Sequence, residues 1–329
     1  MMKFRIGFDK EDRKKLRTYW DDVIDREQWS GNGKYVQLFE TLWSQKLGNQ
    51  VRSVAVSNWS AAAQIVIDFY KLRRKTVLVP SNTFMATPLA FLKGGCDVEF
   101  VDCNRHDLCI SLDDLRAKAD QYKPSAVVVV HIGGHLAFEI DGIVECCRDR
   151  GIILIEDCAH AHGASWAGRF GGCFGSCGIY SFYATKTIST GEGAMLVSCY
   201  QNLVDFAKKY RDYGKPDYHP QGLNCRMSEF TAALGCVETE RLDDIVAWKN
   251  RYAEEKLDEK YRDSKLKLPQ GMVSGLYKYV VFDKIEPSTG RVYSDPCHHY
   301  LKKDYELPNT DWVAENHSCV PIYYKGEEL

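Results

Sequence analysis

The sequence contains no CxxC motif and no other group of cysteines at metal-binding spacing. Its thirteen cysteines, an odd number, are scattered through strand-like and helix-like segments, and the closest pair is Cys146 and Cys147. Structural zinc sites and disulfide frameworks both need cysteines at recurring spacings. The sequence therefore argues against both, and free thiols of this kind fit a reducing compartment such as the cytosol.

Long apolar runs and an excess of one charge are also missing. No run approaches the 18 apolar residues that suggest a membrane-spanning helix. The first residues, MMKFRIGFDKEDRKKL, carry charges where a signal peptide needs an apolar core. The 43 basic and 45 acidic residues give a formal net charge of −2, which does not favour binding to nucleic acid or to an anionic membrane. We expect a cytoplasmic protein without either partner.

Short apolar runs alternate with helix-like segments over much of the chain. Runs rich in Val and Ile and bounded by Gly, Asn, Asp or Pro predict strands at 54–58, 76–81, 98–102, 126–134, 152–157, 177–182 and 194–198. Helical patterns lie at 60–72, 111–122 and 141–150, and a helical pattern dominates from about 199 to 264. Unbroken apolar strands are typical of a sheet buried on both faces. The alternation predicts an α/β fold with a mostly parallel sheet.

The long helical stretch gives the most natural domain boundary, near residues 240–250. A chain of 329 residues is long enough for one large domain and one smaller domain. We therefore predict a large domain at 1–245 and a small α+β domain at 246–329, with YKYVVF (277–282) as the clearest strand of the small domain. Within the large domain, Ser111 and Asp114 have the spacing of a capping box.

A single lysine, Lys186, lies among small and hydroxylic residues in SFYATKTISTGEGAM (181–195), just after an apolar run. Taken alone, Lys186 fits an ordinary surface lysine. A chemical role for its amine depends on which other groups the fold brings to the same place.

Two acidic residues end the predicted strand IILIED (152–157). Because ligands of α/β sheets bind beyond the carboxyl ends of strands, Asp157 occupies a candidate ligand-binding position. A helix cap or a turn is an equally ordinary role for aspartate there. His160 and His162 follow, but histidines two residues apart diverge on a helix and no other metal ligands have suitable spacing. We expect ordinary polar histidines and no metal site.

The segment SNWSAAAQ (57–64) predicts a strand end followed by a helix that begins at Ser60. A helix N-terminus with free N–H groups and a hydroxyl binds phosphate readily, although a capped helix explains the same residues. The P-loop pattern GxxxxGK[ST] is absent. Together with Asp157 and Lys186, this segment matches the needs of pyridoxal phosphate (PLP). Its aldehyde needs a lysine, its ring nitrogen a carboxylate, and its phosphate hydrogen-bond donors.

Four motifs follow one another along the chain: PSNTFMAT (80–87), EDCAHAHGA (156–164), SFYATKTISTGEGAM (181–195) and GLNCRMSEFTAALG (222–235). In this order they resemble motifs of the DegT/DnrJ/EryC1/StrS family of sugar-nucleotide aminotransferases, and the resemblance runs from about Trp29 to about Tyr323. It implies the fold type I architecture with a mostly parallel sheet of about seven strands. It also implies PLP as the cofactor, and transfer of an amino group from glutamate to a keto group of a nucleotide-linked sugar.

The resemblance implies roles for individual residues as well. Lys186 matches the lysine that binds the cofactor covalently and then acts as a base, and Asp157 matches the acid on the pyridinium nitrogen. The other matches are cofactor contacts: Phe84 on the ring, His160 near the ring oxygen, and Trp59, Ser60 and Ser181 on the phosphate. Asn224 matches an asparagine that reaches the phosphate of a neighbouring subunit, which implies a homodimer with shared active sites.

Some positions depart from the family pattern. Trp59-Ser60 stands where the family usually has Gly-Thr; Ser60 can supply the hydroxyl, whereas Trp59 needs a compatible backbone. TGEGAM has alanine where glycine is common. The segment TKTISTGEGAM is most similar to enzymes that aminate C4 of nucleotide-linked 4-keto-6-deoxy sugars, so C4 is the expected position. The nucleotide base is not indicated by the sequence.

Other functions stay open at this point. The enzyme could aminate another position or another keto-sugar. A PLP-dependent sugar dehydratase is a second possibility, but relatives of that kind have histidine where this chain has Lys186. A binding protein that kept the fold without the chemistry is a third, against which the joint presence of Lys186, Asp157 and the phosphate positions counts.

Overall fold

Twelve strands and ten α-helices form the described part of the computed structural model, which covers residues 6–218, 222–301 and 304–325. The strands are β1 (Arg52–Val56), β2 (Thr76–Pro80), β3 (Asp97–Val101), β4 (Ala126–Val130), β5 (Ile153–Asp157), β6 (Ser165–Trp166), β7 (Arg169–Phe170), β8 (Cys177–Ser181), β9 (Ala194–Ser198), β10 (Met272–Val273), β11 (Tyr279–Val281) and β12 (Ser318–Val320). The helices are α1 (Lys10–Asp25), α2 (Lys34–Lys46), α3 (Trp59–Phe69), α4 (Ala86–Lys93), α5 (Leu112–Tyr122), α6 (Ile140–Asp149), α7 (Gln201–Tyr210), α8 (Glu229–Tyr252), α9 (Cys297–Tyr300) and α10 (Pro308–Glu315), and a π-helical turn follows α8 at Ala253–Leu257.

A seven-stranded sheet forms the centre of the fold, with the strand order β1-β9-β8-β5-β4-β2-β3. The pairs β3/β2, β2/β4, β4/β5 and β5/β8 are parallel, whereas β9 runs antiparallel to both of its neighbours. Each of the seven apolar runs in the sequence corresponds to one of these strands. The prediction of a mostly parallel sheet is confirmed.

Burial on both faces explains why these strands are unbroken apolar runs. Every residue of β4, β8 and β9 is buried, because helices pack against the sheet, α2 on β1, α3 on β8 and α6 on β5 among them. Burying one Val or Ile side chain contributes about 1.5–3 kcal/mol. The sheet is therefore rigid, and the residues at its strand ends have fixed positions.

Helix α2 shows how distant residues complete an element. Its N-cap is Gly33, which has no side chain to cap the helix. The buried carboxylate of Glu229, at the start of α8, instead accepts hydrogen bonds from the N–H groups of Tyr35 (2.7 Å) and Val36 (3.3 Å). A carboxylate is favourable at this position because the helix N-terminus carries partial positive charge.

The helices predicted at 60–72, 111–122 and 141–150 agree with the structure except near their ends, whereas the helical stretch predicted at about 199–264 is interrupted between α7 and α8, where the described residues 211–218 and 222–228 are not helical. Helix α3 begins at Trp59, with Asn58 as its N-cap, and not at Ser60 as the sequence predicts. Ser111 caps α5 by accepting a 3.4 Å hydrogen bond from the Asp114 N–H. Asp114 does not return that bond, because its Oδ2 accepts from the Asp102 N–H at 2.7 Å.

The C-terminal part of the chain contributes small sheets and short helices. Strand β11, within the predicted run 277–282, pairs antiparallel with β12, and β10 pairs with β6. The predicted boundary at residue 245 falls inside α8, so the division into 1–245 and 246–329 stays a prediction. Among the described helices, none has the length and apolar character needed to span a membrane.

Candidate active site

The connection between β8 and β9 carries Lys186 and is closed at its base like a hairpin. Ser181 and Ala194 are partners at the ends of the two strands. The Phe182 N–H donates to the Gly193 carbonyl at 2.9 Å, and the Phe182 carbonyl accepts from the Thr190 N–H at 2.9 Å. The lysine therefore lies on a loop that is anchored at both ends to the same sheet.

The Lys186 amine is half-buried, and the Asp157 carboxylate lies near it without forming a direct ion pair. Its Nζ lies 5.2 Å from the centre of the Tyr277 ring and makes no hydrogen bond or ion pair with the residues that the structure describes. Burial lowers the pKa of Lys186 to about 8; the Lys278 charge adds to this effect, and the Asp157 charge opposes it. A lysine of this kind has an accessible neutral form near neutral pH, which a nucleophile or a general base requires.

Asp157 is buried at the carboxyl end of β5, beside β8 in the sheet. Its Oδ2 accepts a 2.8 Å hydrogen bond from the Thr87 hydroxyl, and its Oδ1 accepts from the Ala159 N–H at 3.0 Å. Burial raises the pKa of Asp157, and these two hydrogen bonds and the Lys186 charge offset part of the rise. A cation placed against this carboxylate would be strongly stabilised.

The neighbouring acid, Glu156, has a structural role. Because successive residues of a strand point to opposite faces, Glu156 lies on the other face of the sheet from Asp157. Its carboxylate accepts hydrogen bonds from the Gly172, Phe174 and Gly175 N–H groups at 2.6–2.7 Å and is 3.0 Å from His131 Nε2. Glu156 thereby fixes the loop before β8, and Asp157 alone of the pair is available to a ligand.

His160 lies in a stack of rings. It is buried, with its ring centre 4.1 Å from that of Tyr277 and 5.7 Å from that of Tyr293. Burial, with the nearby Lys186 charge, lowers the pKa of His160 well below its usual value, so the ring is neutral. Its Nδ1 is buried and has no hydrogen-bond partner in the described part of the chain, which leaves one polar atom for a ligand.

His162 packs differently from His160, as expected for histidines two residues apart. It is buried with edge contacts to Trp43, Tyr180 and Phe182. Burial lowers the pKa of His162 to about 3, so this ring is also neutral.

The start of α3 provides free backbone donors. Asn58 Oδ1 accepts a 2.9 Å hydrogen bond from the Ala61 N–H, so Trp59 and Ser60 keep the unused N–H groups that precede it. The Ser60 side chain is exposed, and Trp59 is buried with its indole N–H unpaired among the described residues. This geometry suits an anion at the helix N-terminus.

Sheet pairing brings Ser181 close to the start of α3. Ala194 of β9 is the partner of both Val56, at the end of β1, and Ser181, at the end of β8. Two strand spacings, about 10 Å, therefore separate Val56 from Ser181. Ser181 is buried and accepts a 3.3 Å hydrogen bond from the Tyr183 N–H.

Phe84 follows β2 at the same edge of the sheet and is 63% exposed. Its backbone lies beside the Tyr293 hydroxyl, which in turn is 3.4 Å from His160 Nε2. An exposed aromatic face in this position is free to stack on a planar ligand.

Asn224 is exposed and directly precedes Cys225, whose carbonyl accepts a 2.9 Å hydrogen bond from the Ser57 N–H just before α3. It forms an antiparallel bridge with Asp212, and its Oδ1 accepts from the Arg226 N–H at 3.4 Å. Asn224 caps none of the described helices. Helix α8 begins at Glu229, and Ser228 is its N-cap.

Sequence reasoning missed the residues that complete the site from elsewhere. Thr87 is the last residue of the PSNTFMAT motif, so its position in that motif was an available signal. Tyr277 and Tyr293 come from the C-terminal part of the chain, where no local pattern distinguishes them from core aromatics.

Comparison with known proteins identifies the family. The model of the DegT/DnrJ/EryC1/StrS aminotransferase family matches residues 10–328. The chain belongs to this family. Its members are PLP-dependent aminotransferases.

Individual relatives of the family are also similar to this chain. It is 32% identical to a GDP-perosamine synthase of Vibrio cholerae over 72% of this chain and 66% of that protein. It is 31% identical to a UDP-4-amino-4,6-dideoxy-N-acetyl-beta-L-altrosamine transaminase of Campylobacter jejuni (64% and 58% covered) and 30% identical to a dTDP-3-amino-3,4,6-trideoxy-alpha-D-glucose transaminase of Micromonospora megalomicea (72% and 65% covered). The matched segments thus span about two thirds of the curated relatives' lengths or less.

The fold is shared with solved structures of the family. A DegT DnrJ EryC1 StrS aminotransferase from Brucella abortus superposes with a TM-score of 0.90 at 23% identity, covering 100% of this chain and 95% of that one. The expected fold type I architecture is confirmed.

The residues present fit the cofactor of the DegT/DnrJ/EryC1/StrS family. Lys186 offers an amine without a partner, Asp157 a buried carboxylate, and the start of α3 unused N–H groups. The Lys186 charge acts on the pKa of both Asp157 and His160, so this amine lies near both side chains. When bound, PLP supplies an electron sink for the bonds of an amino acid's α-carbon.

The chain's own residues would bind the cofactor and transfer the proton. Asp157 would keep the ring nitrogen protonated, the N–H groups of Trp59 and Ser60 would hold the phosphate, and Phe84 would cover the ring. Lys186 would hold the cofactor and, once freed, would move a proton on the substrate through its neutral amine. Asp157 and His160 are themselves buried at this end of the site.

Proposed function

We propose that this protein is an aminotransferase that moves an amino group from glutamate to a keto group of a nucleotide-linked sugar, with C4 of a 4-keto-6-deoxyhexose as the acceptor position. The observation that carries the proposal is Lys186, whose partnerless amine has a pKa lowered to about 8 and lies near the buried carboxylate of Asp157. Desolvation of an amine that has no direct ion pair lowers stability, and a protein that only binds a ligand gains nothing in return.

The choice of acceptor rests on similarity. The relatives described above carry GDP-, UDP- and dTDP-sugar names, which supports a nucleotide-linked sugar and leaves the base undecided. The TKTISTGEGAM segment and the 4-amino name of the Campylobacter relative support C4, whereas the Micromonospora relative has a 3-amino name. C4 is therefore the first acceptor position to test, and C3 the second.

The test is a reconstitution with purified protein. The protein should bind PLP and absorb in the violet, and glutamate should bleach that band. Glutamate with GDP-, dTDP- or UDP-linked 4-keto-6-deoxyhexose should then yield 2-oxoglutarate and an amino sugar, with mass spectrometry identifying the product and NMR the aminated carbon. A product that has lost water without gaining nitrogen would support the dehydratase alternative.

Lys186→Ala supplies the decisive variant, and Lys75→Ala, on the exposed turn before β2, is its control. Lys186→Ala should lose turnover completely and keep its fold by circular dichroism, whereas Lys75→Ala should match the wild type. Borohydride reduction followed by peptide mapping should place the cofactor on Lys186. Label on a different lysine would contradict the assignment.

A further inference from the structure

Two histidines and an aspartate come together in the C-terminal part of the chain, and none of them contributes to the site described above. His298 and His299 lie on α9, and Asp311 lies on α10. The Nε2 atoms of His298 and His299 are 3.5 Å and 3.2 Å from the same oxygen, Asp311 Oδ1. One ligand atom from each of these residues lies within 4.8 Å of the others. This His-His-Asp cluster therefore presents two imidazoles and a carboxylate to one small region.

An ordinary hydrogen bond between histidine and carboxylate does not explain the cluster. Neither Nε2 contact has hydrogen-bond geometry, and Asp311 Oδ1 is buried without a hydrogen-bond partner among the described residues. A buried carboxylate oxygen without a partner costs free energy unless a cation pairs with it. Both rings lie beside this oxygen without donating to it, which is the arrangement of ligands around a shared cation.

A hydrogen bond holds the His298 ring in the orientation that a metal ligand needs. His298 is buried, and its Nδ1 is 2.7 Å from the hydroxyl oxygen of Ser81, which also accepts a 3.1 Å hydrogen bond from the His298 N–H. With the proton on Nδ1, the ring donates to Ser81 and keeps the lone pair of Nε2 for a metal. Histidines that bind metals are commonly oriented in this way through their second ring nitrogen.

The distances and the exposure of the cluster suit a transition metal. Ligand atoms at 2.0–2.1 Å from a tetrahedral Zn²⁺ lie about 3.3 Å apart, close to the two distances from Asp311 Oδ1. The side chains of His299 and Asp311 are 56% and 47% exposed, so an ion can enter from solvent and keep a water ligand. Imidazole nitrogens also select Zn²⁺ and related transition metals over Mg²⁺ and Ca²⁺.

We propose that the His-His-Asp cluster binds a divalent transition-metal ion such as Zn²⁺, with a water completing its coordination. The ion would join α9 to α10. It would also hold α9 against the segment after β2, because the Ser81 carbonyl accepts a 3.0 Å hydrogen bond from the Cys297 N–H. No spacing pattern in the sequence marks the cluster, since its ligands come from two helices that only tertiary packing brings together. The proposal does not depend on the aminotransferase reaction.

Zn²⁺ is the probe, added to PLP-loaded protein that has been stripped of metal with a chelator and freed of any polyhistidine tag. Isothermal titration calorimetry should show one Zn²⁺ bound per chain with a dissociation constant of about 10 µM or lower, and Mg²⁺ should not bind. His299→Gln removes one ligand at an exposed position and should weaken Zn²⁺ binding about a hundredfold. His106→Gln, at an exposed histidine outside the cluster, is the matched control and should bind like the wild type.

Thermal melting gives a second measurement. An ion that binds only the folded chain stabilises it by mass action, so excess Zn²⁺ should raise the melting temperature of the wild type and of His106→Gln. It should leave that of His299→Gln unchanged. The thirteen free cysteines are other candidate zinc ligands, so anomalous X-ray scattering at the zinc edge should locate the ion in crystals grown with Zn²⁺. We expect the peak between His298, His299 and Asp311.

Several results would overturn the proposal. These are a weaker dissociation constant in the wild type than the one expected, unchanged Zn²⁺ affinity in a folded His299→Gln, and a zinc peak at cysteines with none in the cluster. If circular dichroism shows that His299→Gln is not native, Asp311→Asn takes its place, with an expected loss of about tenfold or more. Unchanged affinity in that variant would overturn the proposal equally.

Discussion

At the scale of single residues, burial acts on Asp157 and Lys186 in opposite directions. It raises the pKa of the acid and lowers that of the amine, so both groups are pushed toward their neutral forms. A protonated ring nitrogen beside Asp157 would favour the ionised carboxylate and so lower the pKa of Asp157. The charge of Asp157 and the binding of the cofactor are therefore expected to depend on each other.

Asp157→Asn tests that dependence. The substitution keeps the size of the side chain and removes its negative charge, so the ring nitrogen would lose its reason to stay protonated. We expect turnover to fall by about a hundredfold or more, with cofactor content reduced far less. Steady-state rates and the PLP content of the purified variant measure the two effects. Near-normal turnover at full cofactor content would rule out the role of Asp157.

Lys249 offers a test of stability against pH. Its pKa is about 8 in the folded protein and about 10.4 when unfolded, so the unfolded state binds more protons between these values. Below pH 8 burying its charge costs up to about 3 kcal/mol, and the cost fades as the pH rises toward 10.4. Lys249→Met should therefore raise the free energy of unfolding at pH 7 relative to wild type, and the gain should shrink by pH 10. Urea denaturation of the two proteins at both pH values measures this difference. A gain that stayed constant with pH would show that Lys249 is not buried as a cation.

At the scale of elements, the start of helix α3 uses one residue to cap the helix and leaves the hydroxyl of another free for a ligand. Asn58 caps the helix through the Ala61 N–H, whereas Ser60 is exposed and makes no capping bond. The Ser60 hydroxyl and the first N–H groups are thus available to a phosphate without cost to the helix.

Ser60→Ala is expected to weaken PLP binding and leave stability unchanged. Loss of one hydrogen bond to a charged phosphate should raise the dissociation constant about tenfold. Absorbance titration of the cofactor-free protein measures it, and thermal melting checks stability. Thr18→Ala, on exposed α1, is the control with no effect on PLP. A lower melting temperature with unaltered PLP affinity would instead make Ser60 a helix residue only.

The strands and helices also show which parts of the fold and the site could be predicted from the sequence. Strand positions were predictable because burial on both faces demands continuous apolar runs, and β4 is an extreme case. Asp157 and Lys186 follow such strands directly, so their neighbourhood could be inferred. Tyr277 and Tyr293 contact His160 through the tertiary packing of the C-terminal part. Such packing produces no periodic pattern in the sequence. The start of α3 was misplaced because Asn58 and Ser60 are both good caps, and only the backbone decides between them.

At the scale of the whole molecule, Asn224 has no described hydrogen bond to Lys186, Asp157 or His160 of its own chain. It is exposed and forms a bridge with Asp212. We propose that it completes the site of a second copy, as its match in the family motif implies. The protein would then be a homodimer with two composite sites.

Mixing two inactive variants tests the shared site. Lys186→Ala lacks the amine, and Asn224→Asp places a negative charge beside the phosphate, which should be strongly repulsive. A heterodimer of the two would hold one site with both defects and one with neither. An equal mixture with free exchange should recover about a quarter of wild-type activity.

Exchange must be shown independently, for example with differently tagged subunits. Exchanged mixtures that stay inactive would refute sharing, and so would a monomer in sedimentation that still turns over. Asn202→Asp, at an exposed position of α7, is the matched control and should be active alone.

The loop between β8 and β9 has a consequence for how the protein is made and used. Its shape is held by bonds among its own residues, including Phe182, Thr190 and Gly193. A newly synthesised chain can therefore finish this part of its fold before any vitamin-derived cofactor is at hand. A chain that loses its cofactor likewise keeps the shape of this loop, so that another cofactor molecule can bind. We expect the protein to stay folded in the cell without its cofactor and to bind PLP again when the vitamin is supplied. Vitamin shortage should therefore not unfold it.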